Sequence, residues 1–267
     1  MPPMPLRDHF DLVIFDWAGT MVDFGCQAPV LAIKEAFARR GVAVSSLQIR
    51  RDMGKAKVDH VRALLEDPVV RSTWLTARVA EPCEADVQAL MADLNPLMRE
   101  QAKKAAQLID GALDTYRTLR AENLKVASST GYTRDMMEPV LKEAAAQGYK
   151  PDHLVCSGET PAGRPSPLMI YKACAELAVW PLSRVVKVDD TEAGVAEGRA
   201  AGCFTVGLTA SGNGLGLTPS ELAALPAAER TARTDAVAKS LRESGADVVI
   251  GSVAELIPAL RQAQRQF

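Results

Sequence analysis

The stretch LVIFDWAGTMVD, residues 12–23, decides the fold of this chain. Its first four residues are apolar without a polar break, which predicts a strand buried on both faces, as in a parallel sheet covered by helices. The strand ends at the carboxylate of Asp16, and a turn of small residues follows. Because ligands of open α/β sheets bind beyond the carboxyl ends of the strands, Asp16 stands where chemistry usually occurs. The plainer interpretation is an Asp that ends the strand in an Asx-turn.

Length and composition restrict the class of protein. With 267 residues, 48% hydrophobic and 24% charged, the chain has the composition of a globular protein of one large or two modest domains. A net charge of −2 without a long basic run gives no indication of nucleic acid or a membrane as partner. The first ten residues lack the apolar core of a signal peptide. Five scattered cysteines without a CxxC pair argue against a zinc site or a disulfide framework and favour a reduced, cytoplasmic compartment.

Two regions of different periodicity follow the first strand. Residues 27–106 carry helical patterns and no strand signal, which exceeds the single helix of an ordinary crossover and predicts an inserted helical domain. From residue 110 onward, helical patterns alternate with short apolar strands at 124–127, 153–156, 185–188, 204–208 and 248–250. This alternation predicts a doubly wound, Rossmann-like parallel sheet. We therefore divide the chain into an α/β core, residues 1–24 and 105–267, and an all-helical inserted domain, residues 25–104.

Polar groups follow three of the predicted strands. Asp16 ends the first strand, Ser129-Thr130-Gly131 end the second, and Asp189-Asp190 end a later one. Arg164 lies between them in a cationic loop, and tips of parallel strands meet at one edge, so these groups are expected to converge. Paired carboxylates suit Mg²⁺, whereas hydroxyls, backbone N–H groups and an arginine suit a phosphoryl group. An Asp can accept a phosphoryl group as a nucleophile.

A lysine of the predicted helical insert lies on the apolar face of its helix, which is unusual for a charged residue. On a helix that begins near residue 55, Lys57 and His60 share one face with Val61 and Leu64, whereas positions 55, 59, 62 and 66 form a charged face. A desolvated lysine has a lowered pKa, and its neutral amine can form a Schiff base with a carbonyl. His60 is then a candidate proton shuttle. The plainer interpretation is a lysine that snorkels at the edge of the helical insert and a histidine that is an ordinary core or surface residue.

The order of these motifs resembles that of the haloacid dehalogenase superfamily. The matching segments are residues 16–20, Ser129 or Thr130, Arg164 and Asp189-Asp190. The resemblance implies that Asp16 attacks phosphorus and also ligates Mg²⁺, and that the helical insert is a cap that closes over the site. Phosphatases of the superfamily usually have a second Asp two residues after the nucleophile, where this chain has Ala18. General acid-base assistance contributes roughly 10²–10⁴-fold, so an ordinary phosphatase would be handicapped without it.

A narrower resemblance, to the phosphonoacetaldehyde hydrolase family, covers nearly the whole chain. The segments that carry it are FDWAGT (15–20), GCQAP (25–29), MGKAKVDHVRAL (53–64), STGYTRDMM (129–137), PAGRPSP (161–167) and DDT (189–191). It implies cleavage of the C–P bond of phosphonoacetaldehyde to acetaldehyde and phosphate, in 2-aminoethylphosphonate degradation. Lys57 would form an imine with the aldehyde, and Asp16 would form an aspartyl-phosphate. The imine accepts the electrons of the broken bond, so a second acid at position 18 is unnecessary.

The resemblance also implies roles for the remaining site residues. Mg²⁺ would be held by the Asp16 carboxylate, the Ala18 backbone oxygen and the Asp190 carboxylate. The expected phosphoryl-binding groups are Ser129, Thr130, Gly131, Tyr132 and Arg164. The expected neighbours of the imine are Met53, His60 and Cys26. The wider superfamily often has a further Asp where this chain has Gly194, and both Asp189 and Glu192 are candidates to supply the missing charge.

Two other functions fit parts of this pattern. A phosphomonoesterase or phosphomutase of the same superfamily would leave Lys57 unexplained. A non-catalytic phosphometabolite-binding protein is favoured only by Gly194, and the joint presence of Asp16, Lys57, Arg164 and Asp190 speaks against it. The resemblance further implies a homodimer formed through the cap. The expected substrate is a small molecule, with neither nucleic acid nor a membrane as partner.

Overall fold

The computed structural model describes residues 5–266 and has a parallel β-sheet at its centre. The strands are β1 Leu12–Phe15, β2 Lys125–Thr130, β3 His153–Cys156, β4 Val185–Asp189, β5 Phe204–Leu208 and β6 Val248–Ile250. They form one sheet in the order β3-β2-β1-β4-β5-β6, and each neighbouring pair is parallel. The predicted doubly wound parallel sheet is confirmed.

The strand β1 lies at the middle of the sheet, paired with β2 and β4, and both of its faces are apolar. Val13 and Phe15 belong to the larger hydrophobic cluster, whereas Leu12 and Ile14 belong to a smaller cluster on the opposite side. All four side chains are fully buried. The unbroken apolar run therefore reflects burial against helices on both faces.

Helices surround the sheet and fill the long segment between β1 and β2. That segment contains α1 Gln27–Ala38, α2 Ser46–Arg51, α3 Lys57–Glu66, α4 Pro68–Arg78 and α5 Glu84–Lys104. The remaining helices are α6 Ala112–Ala121, α7 Arg134–Ala146, α8 Leu168–Glu176, α9 Glu192–Ala201, α10 Pro219–Ala224, α11 Ala227–Glu243 and α12 Leu256–Ala263. Within the insert α1 packs on α5, and α5 also packs on α7 beside the sheet. No helix of the described chain is long and apolar enough to cross a membrane.

Two predicted strands differ from the structure. The second strand continues through Ser128, Ser129 and Thr130, because these buried residues keep pairing with β3. The strand β4 is not uniformly apolar, since Lys187 lies fully buried in its middle. Residues 219–243 form two helices, α10 and α11, which are separated at Leu225 because this residue is extended before Pro226.

Candidate active site

The carboxyl ends of β1 and β4 bring three carboxylates together. One oxygen each of Asp16, Asp189 and Asp190 lies within 4.8 Å of the other two, and all three residues are buried. The Cys26 thiol donates to the backbone oxygen of Ala18 and to Asp190 Oδ2, both at 3.2 Å. The Ala18 oxygen therefore belongs to the same group of hard oxygen donors.

The electrostatics of this group fit a divalent cation. Burial, together with the neighbouring charge of Asp189, raises the pKa of Asp16 to about 6. Burial and the charge of Asp16 raise the pKa of Asp190 well above its ordinary value. Crowded carboxylates resist ionisation until a cation compensates them, and oxygen-rich sites are those that Mg²⁺ and related ions select. Asp16, Asp190 and the Ala18 carbonyl oxygen are available to hold such an ion.

The turn after β1 requires a glycine for this arrangement. Gly19 has φ +82°, and a Cβ there would lie 2.4 Å from Asp190 Oδ2 and 2.6 Å from Cys26 Sγ. A side chain at position 19 would consequently displace both the carboxylate and the thiol. The packing of Asp190 and Cys26 therefore requires a small residue in this turn. We call the group formed by Asp16, Asp190 and the Ala18 backbone oxygen the oxygen-rich corner.

Arg164 joins the carboxylates to a network of buried charges. Its guanidinium lies 2.8 Å from Asp16 Oδ1, 3.3 Å from Asp189 Oδ2 and 2.9 Å from Glu197 Oε2. The ammonium of Lys187 lies 3.0 Å from Asp189 Oδ2 and 3.4 Å from Glu197 Oε2. Two buried cations thus face three carboxylates. Asp189 and Glu197 thus fix the Arg164 guanidinium while it contacts Asp16.

Sequence reasoning missed Lys187 and Glu197. Both are fully buried, Lys187 in the centre of β4 and Glu197 on α9. A lysine within an otherwise apolar strand was the available signal, because buried charges occur almost only when they are paired. Glu197 carried no comparable signal, since a glutamate on a helix is ordinary at the surface.

The predicted phosphoryl-binding residues separate into two layers. Thr130, Gly131, Tyr132 and Arg164 line the cavity above Asp16. Ser129 lies behind it, where its hydroxyl accepts from Lys187 Nζ at 2.8 Å and donates to Glu197 Oε2 at 3.1 Å. The hydroxyl of Ser129 is therefore occupied by the buried network.

The position of Gly194 is explained by Asp189. A Cβ at position 194 would lie 2.0 Å from Asp189 Cγ, so the Asp189 carboxylate fills the space beside this glycine. Although burial opposes it, the positive charges of Arg164 and Lys187 lower the pKa of Asp189. Glu192 is exposed and accepts from the Ser240 hydroxyl instead. Of the two candidates, Asp189 is the carboxylate that lies beside Arg164.

Lys57 enters the same cavity from the helical insert. It is the first residue of α3, is 2% exposed, and holds its Nζ 5.1 Å from the centre of the Tyr132 ring. Burial lowers the pKa of Lys57 to about 8, although the charge of Asp16 acts in the opposite direction. The cavity has a volume of about 20 Å³. Its lining consists of Asp16, Ala18, Cys26, Pro29, Met53, Gly54, Lys57, Thr130, Gly131, Tyr132, Arg164 and Thr191.

His60 lies fully buried one turn after Lys57 on α3. Its Nε2 lies 2.7 Å from the backbone oxygen of Ile49, and because a carbonyl only accepts, this nitrogen carries the proton. Burial and the charge of Lys57 lower the pKa of His60 to about 3, so the ring is neutral. Nδ1 is then an acceptor, without a hydrogen-bond partner among the described residues.

Met53 and Cys26 complete the set of predicted neighbours of the imine. Both line the cavity that contains Lys57. Burial and the charge of Asp190 raise the pKa of the Cys26 thiol well above its ordinary value, which keeps the proton that it donates to the oxygen-rich corner. Cys26 therefore contacts the metal-binding candidates directly.

The insert reaches the sheet through close backbone contacts. A Cβ on Gly131, after β2, would lie 2.5 Å from the backbone oxygen of Lys55. A Cβ on Gly54 would lie 2.3 Å from Thr191 Oγ1, just before α9. These approaches bring α3 down over the ends of the strands and explain how Lys57 reaches the cavity.

Comparison with known proteins gives the class first. Residues 10–202, most of the chain, match the model of the haloacid dehalogenase-like hydrolases. The chain belongs to this family of hydrolases. Within it, the phosphonoacetaldehyde hydrolase of Bacillus cereus is 41% identical over 256 residues, which cover 96% of this chain and 97% of the relative. That of Syntrophobacter fumaroxidans is 44% identical over 265 residues, which cover 98% and 96%.

A solved structure shows the same relationship. The crystal structure of a phosphonoacetaldehyde hydrolase-like protein from Oleispira antarctica matches with a TM-score of 0.94 and 35% identity, covering 97% of this chain and 94% of that one. The similarity extends across both the sheet and the helical insert. Both levels of resemblance that the motifs indicated are confirmed.

Proposed function

We propose that the chain hydrolyses phosphonoacetaldehyde to acetaldehyde and phosphate, as a step in the degradation of 2-aminoethylphosphonate. The observation that carries this proposal is the buried Lys57, with its lowered pKa, in one cavity with Asp16 and Arg164. A phosphatase has no use for such an amine, whereas an aldehyde substrate does. Full-length similarity to named phosphonoacetaldehyde hydrolases supports the same substrate.

The first step activates the carbon leaving group. The neutral amine of Lys57 adds to the aldehyde carbon, and loss of water together with uptake of one proton at nitrogen gives a protonated imine. Because Lys57 is buried with a pKa of about 8, a useful fraction of the amine is neutral at neutral pH. Tyr132 supports the lysine through its ring face.

The second step breaks the C–P bond. An oxygen of Asp16 bonds to phosphorus, and the electron pair of the C–P bond moves onto the protonated imine, which becomes an enamine. Arg164, 2.8 Å from Asp16, holds the carboxylate and offers positive charge to the transferring phosphoryl group. Thr130 and Gly131 line the position next to it.

The last steps restore the enzyme. Protonation of the enamine at carbon returns an imine, and addition of water releases acetaldehyde and the Lys57 amine. A second water attacks phosphorus of the aspartyl-phosphate, which releases phosphate and the Asp16 carboxylate. We assign proton movement at the imine to His60, which lies one turn after Lys57 on α3 and whose Nδ1 has no hydrogen-bond partner among the described residues.

The metal that we assign is Mg²⁺, held by Asp16, the Ala18 carbonyl oxygen and Asp190. When bound, it supplies positive charge to the crowded carboxylates and to the phosphoryl oxygens. Buried oxygen donors without a histidine or a thiolate ligand favour a hard cation.

The insert acts as a cap in this proposal, with residues 25–104 moving against a core of residues 1–24 and 105–267. The cavity of about 20 Å³ has room for roughly one water molecule, so an aldehyde that bears a phosphonate enters only after the cap opens. Closure then brings Lys57 over Asp16 and excludes water from the imine.

We further propose a homodimer that forms through the cap, in the cytoplasm. Exposed apolar side chains are frequent on the insert. They are Leu31, Leu47, Val69, Leu75 and Val79. All five cysteines are free thiols, as expected of a reducing compartment.

The direct test is release of acetaldehyde from phosphonoacetaldehyde with Mg²⁺, measured through a coupled alcohol dehydrogenase. We expect release by the wild type and its loss in Lys57→Arg, because a guanidinium forms no imine under these conditions. Lys55→Arg is the matched control, since Lys55 is partly exposed and pairs with Asp52. Hydrolysis of phosphate esters in place of the phosphonate would favour a phosphatase. Ligand binding that survives Asp16→Asn, without turnover by the wild type, would favour a binding protein.

A further inference from the structure

The glycine-rich loop at residues 211–218, SGNGLGLT, takes no part in the steps above but connects the insert to the strand ends. Arg50, on α2 of the insert, donates through one nitrogen to the Gly25 oxygen at 2.8 Å and to Asn213 Oδ1 at 3.1 Å. Its other terminal nitrogen donates to the Gly216 oxygen at 3.1 Å. Asn213 Nδ2 donates in return to the Arg50 oxygen at 2.9 Å. Arg50 and Asn213 are thus joined in both directions.

The same loop also holds the oxygen-rich corner. The backbone N–H of Asn213 donates to Asp190 Oδ2 at 2.7 Å. Two residues earlier, the Ser211 hydroxyl donates to the Gly19 oxygen at 2.7 Å. One residue, Asn213, therefore contacts the insert with its side chain and a candidate metal ligand with its backbone.

The glycines of the loop permit these contacts. A Cβ on Gly212 would lie 2.5 Å from Asp190 Cβ. Gly216 has φ +62°, and a Cβ there would lie 2.5 Å from Arg50 Cζ. Side chains at these two positions would push the loop away from Asp190 and from Arg50. Two close approaches, to Asp190 and to Arg50, therefore explain the glycines at positions 212 and 216.

We propose that Arg50, Asn213 and Gly216 form a clasp that keeps the cap closed and fixes Asp190 in the same movement. Its parts come from the insert and from the loop after β5, so opening the cap breaks the Arg50–Asn213 bonds. Arg50 also donates a hydrogen bond to the backbone oxygen of Gly25, the first residue of the insert. These residues are positioning residues. Their effect on turnover rests on the proposed function, whereas their effect on cap closure does not.

The clasp predicts a measurable change in the protection of Lys57. Closed, the cap leaves Lys57 2% exposed, so an amine-reactive reagent modifies it only after opening. Loss of charge-assisted hydrogen bonds in Arg50→Ala should raise the open fraction, and with it the rate of Lys57 modification by trinitrobenzenesulfonate, by about tenfold. Peptide mass spectrometry reads this rate, with the exposed Lys239 as internal reference.

Arg51→Ala is the matched control. Arg51 is the next residue of α2, but its guanidinium pairs with Asp67 inside the insert, and its side chain is 61% exposed. We expect the reagent to modify Lys57 in this variant at the wild-type rate. Asn213→Ala should also raise the rate, but by less than Arg50→Ala, because the bonds from Arg50 to the Gly25 and Gly216 oxygens remain. The double variant should add little to Arg50→Ala, because the two residues share the Arg50–Asn213 contact.

The outcomes separate the clasp from the proposed function. Unchanged Lys57 modification in folded Arg50→Ala and Asn213→Ala would overturn the clasp, as would an equal increase in Arg51→Ala. If Arg50→Ala does not fold, Arg50→Gln, which keeps one donor group, should give an intermediate increase. The labelling needs no substrate, so it reports on the clasp even if phosphonoacetaldehyde is not hydrolysed. With activity present, Arg50→Ala should also lower kcat/KM by about tenfold, whereas Arg51→Ala should not.

Discussion

At the residue scale, burial controls the chemistry of Lys57. The side chain is 2% exposed, and its desolvation lowers the pKa more than the charge of Asp16 raises it. The same burial keeps the His60 ring neutral, with Nδ1 as a hydrogen-bond acceptor. The helical insert thus contributes a lysine that is partly neutral at neutral pH and a neutral histidine, whereas the strand ends contribute most of the buried charges.

The pH dependence of kcat/KM should report the ionisation of Lys57. Its pKa falls from 10.5 to about 8, so the neutral amine becomes more abundant as the pH rises toward that value. We expect kcat/KM to rise about tenfold per pH unit below the pKa and to level off above it. Steady-state kinetics between pH 6 and 9 would measure this limb. If kcat/KM still rises about tenfold per pH unit up to pH 9, Lys57 is a solvated lysine with its ordinary pKa of 10.5.

Asp189 and Gly194 should behave as a coupled pair. Asp189→Gly removes one of the carboxylates that hold Arg164 and Lys187, and we expect it to lower the free energy of unfolding by about 3–5 kcal/mol. Gly194→Asp alone should also destabilise, since its Cβ meets the Asp189 carboxylate. The double variant should lose less than the sum of the two. Urea unfolding in a double-mutant cycle measures the coupling, and strict additivity would contradict it.

At the element scale, the sheet depends on a central strand with two apolar faces. Ile14 is fully buried in the smaller hydrophobic cluster, between β2 and β4. Ile14→Ala should lower the free energy of unfolding by about 2–5 kcal/mol, because it removes buried methyl groups and leaves a cavity. Urea unfolding should show a lower midpoint with an unchanged slope. A loss below about 0.5 kcal/mol would contradict burial on both faces.

The elements that sequence predicted well are those with a strong period. The apolar run of β1 and the Lys57–His60 face of α3 follow from side-chain spacing, and the structure buries both. The extension of β2 through Ser128 to Thr130 was missed because polar side chains mimic a loop until their partners are known. Lys187 and Glu197 were missed for a related reason: their ion pairs join β4 to α9, and local sequence does not display such pairs.

The clasp illustrates a contact that sequence alone could not predict. Residues 211–218 are glycine-rich, but the reason lies in Asp190 and Arg50, which are far away in the chain. The relation between Asp189 and Gly194 was visible only as a missing charge with two candidates. In the structure the Asp189 carboxylate fills the space beside the glycine, and that space depends on the packing of α9 against β4.

At the scale of the whole molecule, we propose a cap that moves and a homodimer that forms through it. We expect a native mass of twice the 28.6 kDa chain in sedimentation. Leu31 and Val69 are both exposed on the insert. Leu31→Glu or Val69→Glu should shift the native mass toward that of the monomer. Trp180→Glu is the control, because Trp180 is exposed but lies outside the insert. Dissociation by the control alone would place the interface elsewhere.

We propose that Lys57 forms an imine with the substrate, and borohydride traps such an imine by reduction. Borohydride added during turnover should convert the imine into a stable secondary amine and inactivate the enzyme. Peptide mass spectrometry should find the adduct on Lys57, and neither Lys55 nor the Lys57→Arg variant should carry it. An active enzyme that borohydride leaves unmodified in the presence of phosphonoacetaldehyde would contradict the account.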